Sequence, residues 1–393
     1  MVTICLNMIV KNESKNILRL LNSVCGFIDY YVICDTGSTD DTPILIEQFF
    51  RERFIDGIIF YEEFVNFCHN RNVALQKCKD LTDYVLLLDA DMVLEINDFD
   101  KSLLIHDNYK ISQGSKYFYY DNIRIVKNDG KSRYIGVTHE YIFTHSNNTG
   151  KINTLFIRDY GDGGCKNNKF TRDRDLLVKG VEEEPTNERY HFYLANTYRD
   201  LGDHENAIQF YKKRICMGGW YEEKYVSCLQ LYKLIKDESR FFYVVKSYTF
   251  NPKRVECILE LIKYYACEKN YNLAYNYYTF IQNYYENEYY HSDGNISFNL
   301  FSNSMDYSFY LPYYMIIVCE HVKKLETGIL MYKIIFKRKS YGNSWYTNNL
   351  IFNLQFYEKC IDSEFKTSCR EYIQGLSLEE RCNKSILLIN LNN

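Results

Sequence analysis

Strand-like patterning runs through the first part of this chain and stops near Phe170, beyond which only helical periodicity remains. Short apolar runs alternating with amphipathic stretches build βαβ units, whereas a sustained helical period with few breakers builds packed helices. Val2 to Val10, Tyr30 to Cys34, Ile58 to Tyr61 and Tyr84 to Leu88 read as strands. Helices read from Ser14 to Val24, from near Pro43 and around His69 to Lys79. The run Tyr84-Val85-Leu86-Leu87-Leu88 lacks polar alternation, as expected of a parallel strand covered on both faces. Tyr117 to Ile142 reads as antiparallel strands with a turn at Asn128-Asp129-Gly130. The expected architecture is an α/β domain over residues 1–168 and an all-α domain over residues 169–393.

A length of 393 residues suits two to three domains. Hydrophobic content of 46%, charged content of 25% and a net charge of -4 exclude a disordered chain and a strongly basic nucleic-acid binder. The 14 cysteines are scattered without a CxxC pair, unlike a disulfide framework. Met1 to Val10 lacks the basic lead and cleavage site of a signal peptide, and no apolar run reaches transmembrane length. The expectation is a soluble, cytoplasmic protein with reduced thiols, no nucleic-acid partner and no transmembrane segment.

Within the helical part, Glu188 to Tyr211 matches a tetratricopeptide unit at its leucine, small, tyrosine, glycine, alanine and aromatic positions. A weaker copy runs through Leu261, Tyr265, Asn270, Ala274 and Tyr278, and Ala207 lies 67 residues before Ala274, close to two periods of about 34. A third copy around Met315, Lys324, Gly328 and Tyr332 is interrupted by the polar stretch from Glu288 to Ser304. Tyrosine pairs such as Tyr264-Tyr265 and Tyr277-Tyr278 fit packing between repeats, with a sugar-stacking groove as the alternative.

Chemistry concentrates where the fourth strand ends, in Asp89-Ala90-Asp91. Two carboxylates at the carboxyl end of a buried strand sit where open α/β sheets bind ligands. Hard oxygen donors there select Mg or Mn, completed by water and substrate phosphates; the alternative is a pair of turn-capping aspartates. Asp35-Thr36-Gly37-Ser38-Thr39-Asp40 is a polar turn, and the absence of GxGxxG after the first strand disfavours nicotinamide chemistry. Arg71, near a helix start beside this edge, offers a forked cation for a diphosphate, or else lies on a solvated helix face.

Asn7-Met8-Ile9-Val10-Lys11-Asn12-Glu13, Cys34 to Thr42, Phe67-Cys68-His69-Asn70-Arg71-Asn72 and Leu88-Asp89-Ala90-Asp91 follow one another as in family 2 glycosyltransferases of GT-A fold. The chain also resembles the subgroup in which that domain carries tetratricopeptide repeats, through Gly136 to Glu140, Gly161 to Gly164, Lys169 to Asp173 and Arg189 to Ala195. The resemblance implies a GT-A domain and inverting transfer of a hexosyl or N-acetylhexosaminyl group from a nucleotide sugar, UDP-linked by expectation. It implies Mn or Mg held by Asp91 and Asp89. Asp35 would accept from the pyrimidine, with the alternative of a turn aspartate bonding its own backbone two residues on; Asn12 and Glu13 would lie against base and ribose, and Arg71, Asp89 and His139 would complete the donor site. Glu140 is the candidate base, with Asp162 as its rival. His139 has the alternative of a hydrogen-bonded core histidine. Arg158-Asp159 stands where related sequences often have histidine, which leaves the third metal ligand open. The acceptor, a glycan, protein or lipid, would be held partly by the repeats. Rival readings are a repeat scaffold with a degenerate catalytic domain and a phosphatase that uses an aspartate of the DxD as nucleophile.

Overall fold

The computed structural model describes residues 1–115, 119–164, 169–292 and 299–376. By its internal contacts the chain forms two compact units, Met1–Ala207 and Ile208–Asn393.

In the first unit, β1 (Ile4–Val10), α1 (Ile17–Val24), β2 (Tyr30–Asp35), α2 (Thr42–Glu52), β3 (Asp56–Tyr61), α3 (Phe67–Lys77) and β4 (Tyr84–Leu87) alternate as the patterning predicts. Then come β5 (Met92–Ile96), β6 (Asn108–Gly114), β7 (Tyr119–Lys127), β8 (Arg133–Ile135), β9 (Tyr141–Phe143), β10 (Thr149–Asp159), α4 (Lys169–Glu183) and α5 (Glu188–Asp200). Eight strands form one mixed sheet in the order β3-β2-β1-β4-β7-β6-β10-β5. β2, β1 and β4 are parallel neighbours, so the chain winds outward to β3 and returns to the other side of β1 at β4. That reversal opens a crevice at the carboxyl ends of β1 and β4.

Period-two alternation divides the strands between two cores. Ile4, Leu6 and Met8 of β1 face α1 and α2, where Ile17, Leu20, Leu21, Ile46 and Phe50 meet them. Cys5 joins Val32, Leu75, Cys78, Val85 and Leu87 on the α3 side. The spacing of Ile17, Leu20, Leu21 and Val24 buries one stripe of α1, and each such side chain stabilises by about 1.5–3 kcal/mol. α3 starts at Asn66, whose side chain accepts from the His69 N–H at 2.8 Å.

The expected hairpin at Asn128-Asp129-Gly130 differs in outcome. The turn exists, with Gly130 at φ 73, but β7 is already flanked by β4 and β6. No sheet edge is left beside it, and β8 pairs with β9 in a separate two-stranded sheet. Tyr117 lies outside the described residues. Strands do give way to helices after β10, near the expected 168/169 boundary, yet α4 and α5 belong to the first compact unit. Gly180 of α4 explains the close approach there, because a Cβ on it would lie 3.2 Å from both Tyr190 and Val137.

The unit boundary falls within α6 (His204–Cys216). The second unit continues with α7 (Tyr221–Leu234), α8 (Arg240–Phe250), α9 (Glu256–Cys267), α10 (Tyr271–Asn283), α11 (Leu311–His321), α12 (Leu325–Arg338), α13 (Ser344–Asn353) and α14 (Ser363–Gln374). α7 packs on α8, α9 on α10 and α11 on α12. Arg254, 1% exposed, pairs with Glu222 and Glu256 at 2.7 Å each and donates to the Leu300 carbonyl, so this buried charge is fully partnered. Among the described residues no helix is long and apolar enough to cross a membrane.

Candidate functional site

Residues from six segments of the first unit converge at the carboxyl ends of β1, β2 and β4. After β1, Asn12 adopts φ 55, a left-handed conformation that asparagine tolerates. Its N–H donates to Ser38 Oγ at 3.0 Å, and its Oδ1 accepts from the Thr39 N–H at 2.7 Å. Asn12 thereby sews the β1 turn to the β2 turn. Asp35 accepts from the N–H groups of Gly37 and Ser38 at 3.3 and 3.1 Å, an aspartate turn of the local kind. Asp40 accepts from Thr42 and Ser14. Burial pulls the Asp40 carboxyl upward, but these donors outweigh it and hold it down to about 2.

Two acidic groups behave oppositely. Asp89 faces two guanidiniums, with Arg71 Nη2 at 2.5 Å and Arg124 Nη1 at 4.0 Å. Burial works against its ionisation, yet the two arginines keep its carboxyl below the usual range. Asp91 is pushed up by burial, then by Asp89 and Asp159. Glu13 is likewise pushed up by burial, against the N–H of Gly164 and the amide of Asn16, with Asp91 adding to the rise.

The Gly161–Gly164 loop bridges these carboxylates. Gly163 donates to Asp91 at 3.2 Å and Gly164 to Glu13 at 2.9 Å. A Cβ on Gly164 would lie 1.9 Å from the Asn12 carbonyl oxygen, so only glycine allows this approach. Asp162 is held by both terminal nitrogens of Arg19, at 2.6 and 2.9 Å, and Arg19 lies over the Tyr160 ring at 4.2 Å.

Glu140, after β8, accepts from Arg71 Nε at 2.6 Å, so Arg71 bridges Asp89 and Glu140. Asn72 fixes the strand beneath: its Oδ1 accepts from the Tyr134 N–H at 2.7 Å and its amide donates to the Tyr134 carbonyl at 3.0 Å. The Tyr134 ring then lies 5.4 Å from the Arg71 guanidinium. His139, at φ 50, stacks on Tyr193 at 4.1 Å, and its carbonyl accepts from Arg189 at 2.8 Å. Burial pushes its imidazole down to about 4, so it is neutral at pH 7.

Asn12, Glu13, Asp91 and Asp162 are therefore brought together by the Gly161–Gly164 loop, whereas Glu140, Arg71 and Asp89 form a separate chain that reaches Asp91 only through the charge of Asp89. Sequence reasoning missed Arg19, Arg124 and Asn16. Arg158 pairs with Glu95 of β5 at 2.6 Å, while Asp159 contributes negative charge near Asp91. Among the described residues, no group of three or more His, Cys, Asp or Glu is arranged to hold a metal ion. Asp91 still suits a hard divalent cation, since such ions bind through one or two carboxylates and relieve the charge crowding that Asp89 and Asp159 impose.

Residues 5–161 match the family model described as glycosyl transferase family 2. The SPbeta prophage-derived glycosyltransferase SunS of Bacillus subtilis is 28% identical over 231 residues, covering 54% of this chain and 53% of that protein. An uncharacterized glycosyltransferase of Rickettsia conorii is 25% identical over 178 residues, covering 44% of this chain and 55% of its own length. The chain thus spans about half the length of the curated relatives it matches. A crystal structure of S. aureus TarS 1–349 in complex with UDP-GlcNAc aligns over 74% of this chain and 94% of its own, at 15% identity and a TM-score of 0.34. Residues 5–161, the N-terminal part of this chain, are thus similar to family 2 glycosyltransferases, and a helical region follows them.

Proposed function

We propose that this chain transfers a sugar from a nucleoside diphosphate sugar, UDP-linked in our reading, to an acceptor hydroxyl with inversion at the anomeric carbon. The observation that carries the reading is the bridge from Asp89 through Arg71 to Glu140, beside Asp91, where the parallel strands β1 and β4 of the mixed sheet meet. A cation for a diphosphate, a crowded carboxylate for a metal and a carboxylate for an acceptor proton lie together.

In this account Asn12, Glu13 and Asp35 line the nucleoside end, Asp35 through whatever acceptor capacity its turn leaves. Arg71 presents its fork to the diphosphate. Mn or Mg at Asp91, when bound, neutralises charge on the departing diphosphate. Glu140, held by Arg71 Nε, takes the acceptor proton as the sugar passes through an oxocarbenium-like state. Asp162, committed to Arg19, is the weaker candidate base. His139, neutral and stacked, shapes the wall of the site. The C-terminal helices, read as tetratricopeptide-like repeats, contribute acceptor binding in the cytoplasm.

A scaffold would have no need of four buried or half-buried charged groups held in register. A phosphatase nucleophile is disfavoured because Asp89 is engaged by two guanidiniums. Incubation with UDP-glucose and UDP-N-acetylglucosamine, with and without Mn, tests the reading: UDP release that requires Mn supports it, and release of inorganic phosphate from a simple phosphoester supports the phosphatase instead.

A further inference from the structure

β7 carries a bulge at Arg124. Opposite it on β6, Tyr109 pairs with Ile125 and Lys110 with Ile123, leaving Arg124 as the extra residue. Burial records the same break in alternation. Ile125 lies in the core cluster of Met8 and Leu86, whereas Ile123 and Val126 both pack in the cluster of Val85 and Leu87. A bulge of this kind bends a strand and re-aims a side chain.

The re-aimed guanidinium is held on three sides. Its Nε donates to Gln113 Oε1 at 2.5 Å, and its Nη1 donates to the Leu87 carbonyl at 3.2 Å and lies 4.0 Å from Asp89 Oδ2. Gln113 is 1% exposed and donates its amide to the Tyr120 hydroxyl at 2.7 Å, which fixes its oxygen toward Arg124. Charges then alternate through Arg124, Asp89, Arg71 and Glu140: hydrogen bonds join the last three, and Arg124 acts on Asp89 by charge at 4.0 Å.

We propose that Arg124 is a positioning residue for the transfer reaction: the bulge aims it at Asp89, Asp89 holds Arg71, and Arg71 sets the Glu140 carboxylate where the acceptor proton is taken. This rests on the glycosyl-transfer reading above. Arg124 touches no reacting atom. Removing it leaves Asp89 with one cation, and Arg71 is drawn fully to Asp89 and away from Glu140. Lysine cannot replace it, because one ammonium cannot serve Gln113, the Leu87 carbonyl and Asp89 in a fixed fork.

The test uses the full chain carrying Arg124→Lys or Arg124→Gln, with UDP release from UDP-glucose and UDP-N-acetylglucosamine in Mn and a crystal structure of each variant. The expected result is a fall in kcat of about tenfold or more in both, with loss of the Arg71 contact to Glu140 in the crystal structures. Wild-type kcat in Arg124→Lys, or an Arg71 that still bridges Asp89 and Glu140 in either crystal structure, overturns the proposal. If Arg124→Gln does not fold, the lysine variant carries both readouts. If the wild-type protein releases no UDP, the transfer reading fails, and the position of Arg71 in the variant structures still decides what Arg124 does.

Discussion

Arg71 donates its Nε–H to Glu140 at 2.6 Å, so the candidate phosphate ligand and the candidate base form one ion pair. In the proposed reaction this pair holds the Glu140 carboxylate where an acceptor hydroxyl approaches. Glu140→Gln keeps an oxygen for Arg71 but removes the basic site. Its kcat should fall about a hundredfold or more, with donor KM and melting temperature close to wild type. Steady-state kinetics on the purified variant check this, and near wild-type turnover would remove Glu140 from the chemistry.

Asp162→Asn provides the contrast. Asp162 and Arg19 are partly exposed and joined side by side, so their pair contributes on the order of 0.5–1 kcal/mol. The variant should melt slightly lower and keep kcat within about threefold of wild type. An inactive but folded Asp162→Asn would transfer the role of base to the Gly161–Gly164 loop.

The contrast between Glu140 and Asp162 also marks what sequence can reveal. β1 to β4 and α1 to α3 were legible because each is a local periodic pattern, and the Asp89-Ala90-Asp91 edge followed from them. The partner of Glu140 was not legible. Arg133, much nearer in sequence, lies over Phe143, and Arg71 reaches Glu140 from 69 residues away. Arg19 and Arg124 were missed for the same reason, since their partners are fixed by sheet order and by a bulge. Neither leaves a periodic trace in sequence. β5, β6 and β10 also went unread, being built into the sheet by long-range pairing.

His139 gives a pH signature. The unfolded chain binds a proton on this residue near 6.5, while the folded protein refuses it until about 4. Its contribution is fully present above 6.5 and declines as pH falls from 6.5 toward 4. His139→Phe, which retains a ring against Tyr193, should flatten the dependence of melting temperature on pH across that window. Parallel curves for the two proteins would show that His139 is solvated.

In the helical unit, burial pushes the Asp306 carboxyl from 3.8 up to about 6, with Lys263 opposing and Glu256 adding to the rise. The unfolded chain releases this proton first, so ionisation of Asp306 costs stability progressively as pH rises from 3.8 to 6. Asp306→Asn should raise the melting temperature at pH 7, by at most about 3 kcal/mol of stability, and have little effect at pH 3.8 or below. Thermal melts at both ends of the range decide it; equal destabilisation at both would mean that Asp306 is favourably paired.

The central claim is that Asp91 and its neighbours bind a metal-assisted nucleotide sugar. The most direct measurement is the melting temperature of the wild-type protein and of Asp91→Asn with UDP-glucose or UDP-N-acetylglucosamine, with and without Mn. A donor at one hundred times its Kd should add about 2.7 kcal/mol to wild-type stability only when Mn is present, and Asp91→Asn should fold normally and show no such gain. An Mn-dependent gain that survives in Asp91→Asn, or a folded wild-type protein that neither sugar nucleotide stabilises under any condition, would contradict the account.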